Sequence, residues 1–98
     1  MKLEEVCIDK INALRAEVNK IDDKIFYLIN KRNDIAKKIG KIKKENNLKI
    51  RNTKLEKTNK NILIKKNPNL KKENVVKIKN ILIKMAVEEQ TNISNTID

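Results

Sequence analysis

Arg32 occupies a position that its helix pattern reserves for an apolar side chain. Ile11, Leu14, Val18, Ile21, Ile25, Leu28, Arg32, Ile35, Ile39 and Ile42 recur at alternating spacings of three and four. That is the stripe of an amphipathic helix, close to a heptad seam. A guanidinium buried in such a seam is costly unless paired with an anion, and no acidic residue shares its stripe nearby. It either snorkels from the helix edge, pairs with a carboxylate from another helix, or binds an anionic ligand. Lys43 lies eleven residues on, almost three helical turns, so it projects from nearly the same face roughly 16 Å away, with Ile39 between. Two cations flanking an apolar patch could grip a dianion with a hydrophobic middle, although lysine is so frequent here that its spacing alone says little. Arg15 stands about 25 Å before Arg32 along the axis and is rotated by roughly 100°. One rigid helix cannot aim both at one small ligand. If they share a site, Arg15 arrives from a second chain, as an antiparallel dimer through the long helices would allow. Near the other terminus, Ile83, Ala86, Val87 and Gln90 form a stripe that ends in a neutral donor beside an apolar wall. By itself Gln90 reads as a solvated helix-end residue.

The elements that must position these groups follow from the same periodicities. The first helix is expected from about Glu4 to Glu45, with Asn46-Asn47 as its stop signal. Gly40 inside it costs roughly 1 kcal/mol of helix propensity. A helix of roughly 60 Å far exceeds the radius of gyration of a compact chain of this size, about 13 Å, so it needs a partner beyond its own chain. Leu48–Arg51 is a short connector. Asn52 or Thr53 caps a second helix, with Glu56 in its first turn, where a carboxylate suits the helix dipole. Leu55, Ile62 and Leu63 form its apolar face, and it ends near Lys66. Asn67-Pro68-Asn69 is the clearest turn in the chain. A third helix follows, with Val75, Ile78, Ile81, Leu82 and Met85 as its core stripe and an end around Thr91–Asn92; residues 93–98 are expected to fray. The fold class is therefore all-α, in the order long helix, short helix, medium helix. Residues 1–98 make one domain without internal repeats, and its core spans about residues 10–91.

Composition bounds the chemistry. A chain of 98 residues has a marginal core of its own, so oligomerisation is a natural way to bury more apolar surface. One Gly and one Pro leave too little turn chemistry for an all-β fold. The 24 Lys and Arg against 13 Asp and Glu give a formal charge of +11, which reads either as a solvated lysine-rich surface or as a match for an anionic partner. Only Arg15, Arg32 and Arg51 among those cations are arginines, and an arginine where lysine is the default suggests a planar, bidentate contact. With no His, histidine catalysis and histidine metal sites are excluded. The lone Cys7 has no intramolecular disulfide partner and no surroundings like a metal or nucleophile site. Met1–Asp9 lacks the apolar segment of a signal peptide, and no apolar run approaches the roughly 20 residues of a membrane span. A cytoplasmic, soluble protein is expected.

Four runs carry a resemblance. Asn12-Ala13-Leu14-Arg15, Ile21-Asp22-Asp23-Lys24-Ile25, Lys31-Arg32-Asn33-Asp34-Ile35-Ala36 and Lys38-Ile39-Gly40-Lys41-Ile42-Lys43 together resemble the bacterial all-helical (class II) chorismate mutase family. The resemblance covers roughly Lys10 to Thr91 and is specific in the first half. It implies a homodimer in which the three helices of each chain interlock with those of another, giving two shared active sites. It implies an isomerase that rearranges chorismate to prephenate in aromatic amino-acid biosynthesis (the shikimate pathway). This is a concerted, Claisen-type pericyclic step without nucleophile, metal or cofactor. Carried over by resemblance, Arg32 binds one substrate carboxylate and Arg15 of the partner chain the other. Lys43 and Gln90 donate to the ether oxygen and its neighbourhood, and Glu56 accepts from the ring hydroxyl. Asn52, Ile39, Ile83, Ala86 and Val87 complete the substrate contacts, the apolar ones as a wall against the carbocycle. Aligning Gln90 requires a two-residue deletion around Asn67–Asn69, in a turn. The chain departs from the family where Asn52 replaces an acid, Leu55 an arginine and Ala86 a serine. Leu55 removes a cation beside Glu56, and Arg51 or Lys54 is the nearby candidate to supply it.

Two other functions compete. One keeps the fold and eliminates pyruvate from isochorismate, a related lyase reaction. The other is a basic helical protein that binds nucleic acid. It needs a concentrated cationic face, whereas the lysines spread over all three helices, and the near absence of aromatics argues against single-strand stacking.

Overall fold

The computed structural model of the chain describes residues 3–95. They form three helices, α1 (Leu3–Glu45), α2 (Thr53–Lys66) and α3 (Lys72–Asn95), with no strand among the described residues. The protein is all-α, as its periodicities imply.

The caps follow local chemistry. After α1, the Leu48 N–H donates to Lys43 O at 2.8 Å and the Asn47 N–H to Lys44 O at 3.2 Å, the bond pair of a Schellman motif. That motif requires a left-handed residue, supplied by Asn47 at φ 54°. Asn52 caps α2, its Oδ1 accepting from the Leu55 N–H at 3.0 Å. At the other end the Asn67 amide donates to Leu63 O at 2.9 Å, and the turn closes through the Leu70 N–H to Asn67 O at 3.1 Å. Helix α3 runs to Asn95, past the expected end at Thr91–Asn92, because no Gly or Pro interrupts Thr91–Asn95. The remainder of the expected frayed tail, residues 96–98, lies outside the described residues.

The chain divides into two compact units, Met1–Lys31 and Arg32–Asp98, with the boundary inside α1. The first is a single stretch of helix. Its apolar stripe lies open along its length, from Ile11 at 46% exposure to Leu28 at 60%.

The second unit holds a small core. Ala36 and Gly40 on α1 and Val75 and Gln90 on α3 are its buried residues. The residues of α3 that turn inward include Val75, Val76, Lys79, Leu82, Ile83, Met85, Ala86, Val87 and Gln90, whereas Ile78 and Ile81 are 56% and 58% exposed. The expected core stripe through Ile78 and Ile81 is therefore corrected by roughly a quarter turn. Gly40 explains the choice of face. A Cβ there would stand 2.9 Å from Gln90 Cα, so only glycine lets α1 and α3 meet at that point. On α2, Leu63 is half-buried, but Leu55 and Ile62, expected on the same core face, are largely exposed. There too the inward face is rotated, toward Glu56, Asn59 and Leu63.

Candidate active site

The second unit encloses a cleft of about 320 Å³, at the small end of the range for ligand pockets. Helix α1 lines it with Arg32, Ile39 and Lys43. Asn52 and Glu56 face it from the cap and first turn of α2, and Ile83, Ala86, Val87 and Gln90 from α3. Every residue given a catalytic or substrate-binding role from the sequence is thus brought to one cleft except Arg15, which is an exposed residue of the first unit.

Arg32 is held from α3: its Nη1 donates to Leu82 O at 2.8 Å. It is half-buried and pairs with no carboxylate among the described residues, so most of its donor fork is left toward the cleft. At the other end, Lys43 Nζ donates to Gln90 Oε1 at 3.0 Å and to Ile50 O. The Schellman turn makes the second contact possible by folding the connector back over the last turn of α1. Gln90 is only 7% exposed, so the reading of it as a solvated helix-end residue is overturned. Its burial follows from the close approach that Gly40 permits. A lysine ammonium has only donors, so the Gln90 amide must turn its oxygen to Lys43 and direct its NH₂ elsewhere.

Glu56 is gripped by Arg51, with Arg51 Nε donating to Oε2 at 3.1 Å and Nη2 to Oε1 at 2.5 Å. These hydrogen bonds, more than the accompanying charge attraction, hold the Glu56 carboxyl below its usual range, and Glu56 in turn raises Arg51. Of the two cations proposed to stand in for the one missing at Leu55, Arg51 therefore reaches Glu56; Lys54 is exposed. Leu55 lines the cleft itself, 53% exposed, instead of packing in a helix core. Asn52 holds the cap, which an aspartate would also do. Among the described residues no group of three or more His, Cys, Asp and Glu could hold a metal ion, and no helix is long and apolar enough to cross a membrane.

A family model described as chorismate mutase type II matches residues 14–91. The chain belongs to the type II chorismate mutase family. No curated protein and no solved structure matches it. The match starts one residue before Arg15 and ends one after Gln90, so all the candidate site residues of this chorismate mutase family member lie within it.

One charged cleft residue escaped the sequence reading. Lys79 on α3 lines the cleft, four residues after Val75 and three before Leu82, on the inward face of the helix. That spacing was the available signal, hidden by the abundance of lysine.

Proposed function

We propose that this chain is a chorismate mutase that rearranges chorismate to prephenate, serving aromatic amino-acid biosynthesis in the cytoplasm. The observation that carries this reading is a single small cleft with Arg32 at one end, Lys43 and Gln90 at the other, and an apolar wall between them. Chorismate is a dicarboxylate with a carbocycle, and the reaction needs it folded into a reactive chair while negative charge grows on the breaking ether oxygen. One C–O bond breaks as one C–C bond forms, so no proton, metal or nucleophile is called for.

In this reading the Arg32 fork takes one carboxylate. Lys43 spends two donors on Ile50 and Gln90, which fixes its Nζ and leaves its third N–H for the ether oxygen. The Gln90 NH₂ donates beside it. Glu56, kept ionised by Arg51, accepts from the ring hydroxyl. Ile39, Ile83 and Val87 exclude water, which strengthens each of these electrostatic contacts. Asn52 and Ala86 border the substrate without charge.

The second carboxylate is assigned to Arg15 of a partner chain in a homodimer. Support comes from the open stripe Ile11–Leu28, since covering it with the same stripe of a second, antiparallel helix would contribute on the order of 5–10 kcal/mol.

Loss of chorismate absorbance with purified protein tests the activity, and product identification with chorismate and isochorismate distinguishes the mutase from the lyase. Arg32→Ala is expected to cut kcat/KM by at least about 100-fold, the loss of a bidentate charge-assisted contact, with helicity by circular dichroism retained. A folded dimer that leaves chorismate unchanged would refute the reading.

A further inference from the structure

Lys79 is a cleft cation that no carboxylate pairs among the described residues. It is half-buried on the inward face of α3, and no hydrogen bond or ion pair joins it to another described residue. The cleft's carboxylate, Glu56, is already taken by the two hydrogen bonds from Arg51. The other groups facing the ammonium are Arg32 from α1 and Lys60 from α2, both cations, with Lys43 further along the same cleft. Burial is the first cause that holds the Lys79 ammonium below the usual lysine range; the neighbouring Arg32 adds to it, and Glu56 only partly opposes it. A lysine can usually escape such a place by extending its stem into water. In a chain with 24 Lys and Arg and abundant open surface, a cation kept beside another cation in a cleft is a feature that only an incoming anion relieves.

Geometry narrows what that anion is. Arg32 reaches the Leu82 carbonyl, and Lys79 stands one turn before Leu82 on the same helix. The two cations therefore meet at one end of the cleft, opposite Lys43 and Gln90.

We infer that Lys79 is a further substrate-binding residue, whose ammonium joins Arg32 in holding a carboxylate of the substrate. The inference rests on the mutase reading for the identity of the substrate, but the contact itself is between Lys79 and a bound dicarboxylate.

The test is a kinetic comparison of Lys79→Met and Lys79→Arg with the unaltered protein. A charge-assisted contact of this kind is worth about 10- to 100-fold in affinity. Lys79→Met is expected to raise KM for chorismate by that factor with a smaller change in kcat, at unchanged helicity, and Lys79→Arg to remain within a few-fold. In the profile of kcat/KM against pH, activity should fall as Lys79 loses its proton on the alkaline side, and that limb should move to higher pH in Lys79→Arg. Wild-type kinetics in Lys79→Met overturn the inference. If the unaltered protein does not turn over chorismate, the mutase reading fails separately. Calorimetric titration with a bicyclic dicarboxylate transition-state mimic then decides: weaker binding to Lys79→Met upholds Lys79 as the anion contact, and equal or absent binding overturns it.

Discussion

Glu56 keeps its charge chiefly through Arg51, at the end of the connector between α1 and α2, with Lys60 and Lys43 adding to it. The sign of its pH dependence follows. A carboxyl held below its usual range stays ionised as pH falls, and the interaction is lost only once the pH passes below that lowered value. In Arg51→Ala the largest cause of the lowering is removed, so Glu56 should take up its proton at a higher pH. The acid limb of kcat/KM is expected to shift upward, toward the ordinary carboxylate range, with little change in melting temperature, because Arg51 is exposed and such pairs add little stability. A pH–rate profile of the variant checks this; an unmoved acid limb would show that Glu56 does not take part. From sequence, Glu56 was legible as a first-turn carboxylate, but its partner was not. Arg51 and Lys54 were both nearby, and only the path of the connector decides between them.

At the scale of elements, the site depends on how closely α1 and α3 approach. Gly40 admits Gln90 to within a distance at which an added Cβ would press on backbone, at 2.9 Å from Gln90 Cα, so a side chain cannot simply rotate away. Gly40→Ala would gain about 1 kcal/mol of helix propensity and lose about 1–3 kcal/mol to overpacking. The net expectation is equal or lower thermal stability together with a fall in kcat/KM of about tenfold or more, since displacing α3 moves Gln90 away from Lys43. Thermal melts and steady-state kinetics on the same preparation check it, and wild-type kinetics would contradict it. The helix ends were legible because asparagine marks them: Asn46-Asn47 stops α1, Asn52 starts α2 and Asn67 ends it. The inward face of α3 was not. Two apolar stripes lie side by side on that helix, and periodicity cannot say which one the glycine on α1 will accept.

For the whole molecule, the open stripe of the first unit and the place of Arg15 make assembly the central question. In the proposed antiparallel homodimer each cleft takes Arg15 from the other chain. Arg15→Ala and Arg32→Ala should each be nearly inactive alone. Mixed, unfolded and refolded together, they should recover about a quarter of the activity, because half of the dimers are mixed and each mixed dimer has one intact site. Activity assays on the refolded mixture check this. If Arg15 served the cleft of its own chain, mixing would restore nothing.

By itself the sequence determined the three helices, their caps and the amphipathic stripe of α1, since periodicity and capping are local and act within a few residues. It also carried the family, through the four runs between Asn12 and Lys43. The tertiary structure decided which faces turn inward. Gln90 is buried at Lys43, Arg32 is tied to the Leu82 carbonyl, Glu56 is handed to Arg51, and Lys79 is left beside Arg32 with no ion pair among the described residues. Those outcomes depend on the rotation of each helix about its axis. That rotation is set by steric fit between residues some 50 positions apart, such as Gly40 and Gln90, and no local pattern in the sequence records it.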